Sequence, residues 1–284
     1  MPNSYRDVFW LGHDDVRLYA REYPHPGASA VLCLHGLTRN GRDFEDLALH
    51  LRQRYRVIVP DLRGRGLSQR DIQPRNYQLP IYLKDILGLL DTIDAERVAV
   101  IGTSLGGLLA MMLAFSHPSR IAGIVLNDVG PEIDSAGMER IKQYAGTLPP
   151  VKEWNEAVAQ TRAVFGQAWP DLAAARWPAL TRRGYREDPP GVIQVDADPM
   201  IGEMLRAAPP AAFDLWPLWK ALQAVPMLAI RGALSDILSA ATLKRMKAEK
   251  PDLEQIVVAN RGHVPLLDEP ECASAIDAFL ARIH

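Results

Sequence analysis

This 284-residue chain lacks the roughly 20 consecutive apolar residues that a helix needs to cross a bilayer: the uncharged stretch 98–119 is interrupted by Gly, Thr, Ser, His and Pro. The opening "MPNSYRDVFWLGHDD" has no basic start followed by an apolar stretch, so a secretory leader is not expected. Cysteine is scarce. Cys33 and Cys272 stand far apart, each inside an apolar-periodic segment, which excludes a disulfide scaffold and fits two buried thiols in a reducing compartment. A cytoplasmic protein is the expectation. HExxH and clustered Cys/His patterns are missing, so neither a metal nor a cofactor is expected. Excess charge of one sign is missing too: the formal net charge is −2, and nothing favours nucleic acid or an anionic membrane surface as partner.

Short aliphatic runs are plentiful. "AVLCL" (30–34), "YRVIVP" (55–60), "RVAVIG" (97–102), "IAGIVLN" (121–127), "PMLAIRG" (226–232) and "EQIVVA" (254–259) are continuous rather than alternating, as strands covered on both faces require. Helical spacing fills the gaps, with Phe44, Leu47, Ala48 and Leu51 on one face early in the chain and Ile276, Phe279, Leu280 and Ile283 on another near its end. The alternation predicts an α/β fold with a mostly parallel, doubly wound sheet. "DVFWLG" and "VRLYAREY", separated by "HDD", predict an antiparallel hairpin at the sheet edge.

Residues 131–220 break the rhythm. They hold half of the 22 prolines and five of the six tryptophans (Trp154, Trp169, Trp177, Trp216 and Trp219), with helical pieces and no convincing strand. The expected division is therefore a core of residues 1–130 and 221–284 and a helical cap, or lid, inserted at 131–220. Most of those tryptophans are expected to pack the insertion onto the core.

Gly102-Thr103-Ser104-Leu105-Gly106 matches G-x-S-x-G between a buried strand and a helix. A serine forced into so sharp a turn adopts a strained backbone that survives only among small neighbours, and it stands exposed above the carboxyl edge of the sheet. A serine nucleophile needs a histidine to take its proton, and the histidine needs a carboxylate to orient it. Of the histidines that follow Ser104, His263 lies in the loop after the last strand, whereas His117 flanks a helix and His284 ends the chain. His13, His25, His50 and His117 are expected at the surface. Asp236 in "AIRGALSDILS" is the preferred carboxylate, with Asp128 in "IVLNDVGP" as its competitor, since both follow strands at the same edge. The backbone N–H groups of Leu37 and Leu105 are the candidate oxyanion hole. His35 is expected to be structural rather than a second base.

"LHGLTRN" (34–40), "DLRGRGLS" (61–68), "GTSLGG" (102–107), "GALSD" (232–236) and "GHVPLLDEP" (262–270) together resemble the α/β-hydrolase superfamily, in its order and across the chain outside 131–220. The resemblance is to capped bacterial serine hydrolases: carboxylesterases, enol-lactonases and hydrolases of carbon–carbon bonds. It implies Ser104 as nucleophile, His263 as base, Asp236 as orienter, Leu37 with Leu105 as oxyanion hole, and "DLRGRGLS" as a structural loop rather than an anion site. Serine at position 104 sets the chain apart from dehalogenases and epoxide hydrolases of this fold, which use aspartate there. The expected function is hydrolysis of a small-molecule carboxylic ester through an acyl-enzyme. Lactone or carbon–carbon cleavage, acyl transfer and ligand reception without turnover are the alternatives, because the same fold serves all of them.

Overall fold

The computed structural model describes residues 5–208 and 214–283, so His284 lies outside the described residues. The chain opens with β1 (Arg6–Leu11), β2 (Arg17–Tyr23), β3 (Ala30–Leu34), α1 (Glu45–Leu51), β4 (Arg56–Asp61), α2 (Leu79–Thr92), β5 (Val98–Thr103), α3 (Leu105–Ser116) and β6 (Ile121–Asn127). The insertion follows, with α4 (Ser135–Tyr144), α5 (Trp154–Phe165), α6 (Trp177–Gly184), β7 (Tyr185–Glu187), β8 (Ile193–Val195), α7 (Met200–Ala207) and α8 (Trp216–Ala221). The rhythm then resumes with β9 (Met227–Gly232), α9 (Ala240–Glu249), β10 (Glu254–Val258) and α10 (Pro270–Ile283).

Eight strands form one sheet in the order β1-β2-β4-β3-β5-β6-β9-β10. The edge hairpin β1–β2 and the β2–β4 pair are antiparallel, and the remaining pairs are parallel. Every residue of β3, β6 and β9 is buried, as helices on both faces of a parallel sheet demand. Strand alternation divides the core into two layers. Leu32, Leu34, Val100, Ile124 and Leu126 face α2, α3 and α8, while Val31, Cys33, Ile101 and Val125 face α1 and α10. Both cysteines are buried and free. No helix among the described residues is long and apolar enough to cross a membrane.

The insertion departs from expectation in two places. Tyr185–Glu187 and Ile193–Val195 pair antiparallel as a small separate sheet, where no strand was expected. Trp216 and Trp219 of α8 belong to the main core, where α8 packs against α3, so the last helix before β9 works as part of the sheet's cover. Trp169 and Trp177, in contrast, build a small cluster of the insertion's own with Leu172 and Leu180.

Candidate active site

Ser104 sits between β5 and α3 with φ 52° and ψ −115°, a conformation that a side chain adopts only when its surroundings compel it. The compulsion comes from close packing of strand on helix: a Cβ on Gly106 would overlap the Leu34 carbonyl, and one on Gly102 would overlap Gly106 itself. The Ser104 carbonyl accepts from the N–H groups of Gly107 (2.9 Å) and Leu108 (3.2 Å), capping the helix. The N–H groups of Leu105 and Gly106 belong to the first turn, where no intrahelical acceptor exists. Gly36 lies directly opposite, since a Cβ there would stand 3.8 Å from Ser104 Cβ.

Ser104 Oγ is 2.9 Å from His263 Nε2, and His263 Nδ1 is 2.8 Å from Asp128 Oδ2. Asp128 is fully buried at the end of β6 with φ 56°, and its carboxylate is held on both oxygens. Gly232 N donates to Oδ1 at 2.8 Å, and Ser235 Oγ donates to Oδ2 at 2.6 Å. With Nδ1–H given to the carboxylate, His263 presents the Nε2 lone pair to the serine.

The expectation for Asp236 is corrected by this geometry. Its carboxylate turns toward the insertion and takes a two-point contact from Arg140 of α4, at 2.6 Å from Nε and 2.8 Å from Nη2. Partial burial alone would raise its pKa, but the Arg140 hydrogen bonds and charge outweigh that and hold it below the ordinary carboxylate range. Ser235, one residue earlier, is the part of this loop that reaches Asp128. The choice between the two aspartates is thus decided by how the loop after β9 turns.

His35 is structural in its contacts. Its Nε2 accepts from Leu62 N at 2.9 Å, so Nδ1 carries the hydrogen and donates to the Gly36 carbonyl at 2.8 Å. Burial, aided by the charge of Arg65, pushes its pKa down to about 3 and keeps it neutral. The peptide whose carbonyl it holds is the one whose N–H belongs to Leu37. "DLRGRGLS" is structural as well: Arg63 is fully enclosed by Asp14, Asp71 and Asp85, and Arg65 donates to the Leu37 carbonyl at 2.9 Å. His13 and His50 are exposed, and His25 and His117 are partly so.

Above Ser104 lies a cavity bordered by His35–Arg39 of the first crossover loop and by Tyr144, Phe165, Trp169 and Leu180 of the insertion. Phe165 and Trp169 stack with ring centres 4.9 Å apart. Trp169 Nε1 donates to the Val264 carbonyl at 2.8 Å, and Gly262 N donates to the Ala168 carbonyl at 2.7 Å, so the insertion grips the His263 loop from both sides. The sequence gives no signal that singles out these lining residues, because an aromatic in a helical segment reads as packing. No group of three or more potential metal-ligating side chains is found among the described residues.

A doubly wound sheet with a strained serine at its carboxyl edge, hydrogen-bonded to a histidine and through it to a buried aspartate, defines the fold and site class of a hydrolase. The chain belongs to the alpha/beta hydrolase family, whose model matches residues 31–275. It is 33% identical over 266 residues to a 3-hydroxybutyrate-oligomer hydrolase of Cupriavidus necator, covering 89% of each chain. It is 27% identical to a 2-(acetamidomethylene)succinate hydrolase of Mesorhizobium japonicum, over 88% of this chain and 87% of the relative. Among solved structures, an alpha/beta hydrolase from Novosphingobium aromaticivorans superposes with a TM-score of 0.91 at 42% identity, covering 98% of this chain and 99% of that one.

Proposed function

We propose that this enzyme hydrolyses a carboxylic ester of a small molecule through an acyl-enzyme on Ser104, with His263 as base and Asp128 as the orienting carboxylate. The observation that carries this reading is the unbroken hydrogen-bonded series Ser104–His263–Asp128, of which Ser104 and His263 line the cavity. As Ser104 Oγ attacks the ester carbonyl, His263 Nε2 takes its proton, and the imidazolium so formed is stabilised by Asp128. The tetrahedral oxyanion is received by the N–H groups of Leu37 and Leu105. His263 then gives the proton to the departing alcohol, and a water activated by the same histidine cleaves the acyl-enzyme to acid and free serine. The insertion acts as the cap that shapes the acyl and alcohol sites. The relative named for hydrolysing 3-hydroxybutyrate oligomers supports an ester rather than a carbon–carbon bond as the scissile group.

The test is turnover of p-nitrophenyl esters from acetate to palmitate by wild type, Ser104→Ala, Asp128→Asn and Asp236→Asn. Ser104→Ala should lose at least about 10⁴-fold and Asp128→Asn about 10³- to 10⁴-fold in kcat, while Asp236→Asn stays within a few-fold of wild type. Loss confined to Asp236→Asn would remove Asp128 from the mechanism. Absence of turnover across the series would overturn the ester reading and leave ligand reception or another scissile bond.

A further inference from the structure

A second cavity lies against the catalytic one, and Thr38, Arg39, Tyr144 and Phe165 border both. It is enclosed largely by the insertion. Leu148, Pro150, Val164, Val195 and Ile201 give it an apolar wall. Several of its polar side chains are engaged within the protein. Thr161 Oγ1 donates to the Ala157 carbonyl at 2.9 Å, the Tyr185 hydroxyl to Gln160 at 3.0 Å, and Asp198 accepts from the Tyr77 hydroxyl at 2.6 Å and from Met200 N at 3.0 Å.

Arg39 stands at the border. Its Nε and Nη2 are taken by Asp43, at 2.8 and 2.6 Å, so its charge is balanced. Nη1 lies on the side of Gly184, where a Cβ would overlap it, and the hydrogen bonds of Arg39 among the described residues run from Nε and Nη2 alone. A carboxylate entering here would meet Asp43 and Asp198 with only a compensated arginine to pair it. A plain alkyl chain would cover the Nη1 hydrogens and leave them without an acceptor. A neutral carbonyl oxygen satisfies the donor, and short alkyl groups on either side of it suit the two chambers.

From this juxtaposition of two cavities across Arg39, we infer that the substrate is a neutral oligoester of short hydroxy acids: the scissile ester lies at Ser104, the neighbouring ester carbonyl accepts from Arg39 Nη1, and the next repeat fills the second chamber. The inference rests on the proposed ester hydrolysis and adds the substrate class. Each cleavage consumes one water and releases one carboxylic acid and one alcohol.

Four probes separate the possibilities: p-nitrophenyl acetate, a methyl-capped 3-hydroxybutyrate trimer, the same trimer as free acid, and a methyl fatty ester of matched length. Wild type should prefer the capped trimer to the fatty ester by at least about tenfold in kcat/KM, and Arg39→Gln should bring the two close together. Val164→Trp and Leu148→Trp fill the second chamber from separate segments. Either should lower the ratio of kcat/KM for capped trimer over p-nitrophenyl acetate by about 30-fold. The proposal is overturned if wild type cleaves the fatty ester as well as the trimer, or prefers the free acid tenfold over the capped form. It is overturned equally if both tryptophan variants, melting as wild type does, keep the trimer-to-acetate ratio. Failure of wild type to turn over p-nitrophenyl acetate, together with no labelling of Ser104 by a fluorophosphonate, would instead sink the ester-hydrolase reading and this proposal with it.

Discussion

Arg65 is a cation with 1% of its surface exposed and no carboxylate in contact among the described residues, a costly arrangement unless the positions it fixes matter. It donates through Nε to the Leu37 carbonyl at 2.9 Å and through Nη1 to the Arg63 carbonyl (2.7 Å) and the Tyr82 hydroxyl (2.8 Å), and it lies over the Tyr82 ring. His35 holds the Gly36 carbonyl from the other side. Leu37 is therefore braced on both flanking peptides, which sets the direction of the N–H proposed to receive the oxyanion. Displacing a preorganised donor by an ångström lowers the rate far more than it weakens binding of the ground state. Arg65→Met should accordingly lower kcat about 10- to 100-fold while KM moves less than about threefold, with Arg65→Lys in between. Steady-state kinetics on a p-nitrophenyl ester check this, and a rise in KM at unchanged kcat would reduce Arg65 to a packing residue.

At the scale of elements, the insertion is fastened to the core at separate points. Arg140 of α4 meets Asp236 after β9, Trp169 and Ala168 hold the His263 loop, and Asn40 and Arg42 of the first crossover reach the Arg183 carbonyl at 2.9 Å each. The Arg140–Asp236 contact is partly exposed, so solvent screening limits it to about 0.5–1 kcal/mol. Because Asp236 has a lowered pKa in the folded protein, its contribution is present above the unfolded carboxylate range near pH 4 and is lost as acid brings the pH down through the folded value. Asp236→Asn should melt about 1–4 °C below wild type near neutrality, and the gap should close as the pH falls below about 4. Thermal melts across that range decide it; a gap that persists in acid would mean the ion pair is not its source. This contact also explains what the sequence left open. The continuous aliphatic runs make the core strands legible because burial on both faces leaves no alternative composition. Ser104 is legible from the glycines its turn demands, and His263 from its place in the loop after the last strand. Asp128 and Asp236 both follow buried strands at one edge, and only the three-dimensional course of Gly232–Asp236 turns Ser235 toward the site and Asp236 toward Arg140. The β7–β8 hairpin escaped because three-residue strands around Pro189-Pro190-Gly191 carry too short a pattern to separate from a loop.

For the whole molecule, the consequence of a buried neutral histidine is a stability that depends on pH well above the carboxylate range. His35 is fully buried, between the Leu62 N–H and the Gly36 carbonyl, and its pKa falls to about 3, with burial the larger cause and Arg65 the second. In the unfolded chain it should titrate near the ordinary value of about 6.5. Between those two values the unfolded state binds a proton that the folded state refuses, so stability rises with pH across the interval. The contribution is fully present above about pH 6.5 and is lost progressively below it, at about 1.4 kcal/mol per pH unit for one such group. Urea unfolding of wild type and His35→Asn at intervals from pH 7.5 to 4.5 isolates the term. Asparagine forfeits part of the hydrogen bonding and should be less stable at pH 7.5, but its decline toward acid should be shallower, so that the two stabilities converge near pH 5. Parallel declines would show that His35 keeps an ordinary pKa in the folded protein. In that case protonation would break the Leu62 N–H contact, and the brace on the Leu37 peptide would loosen within the physiological pH range.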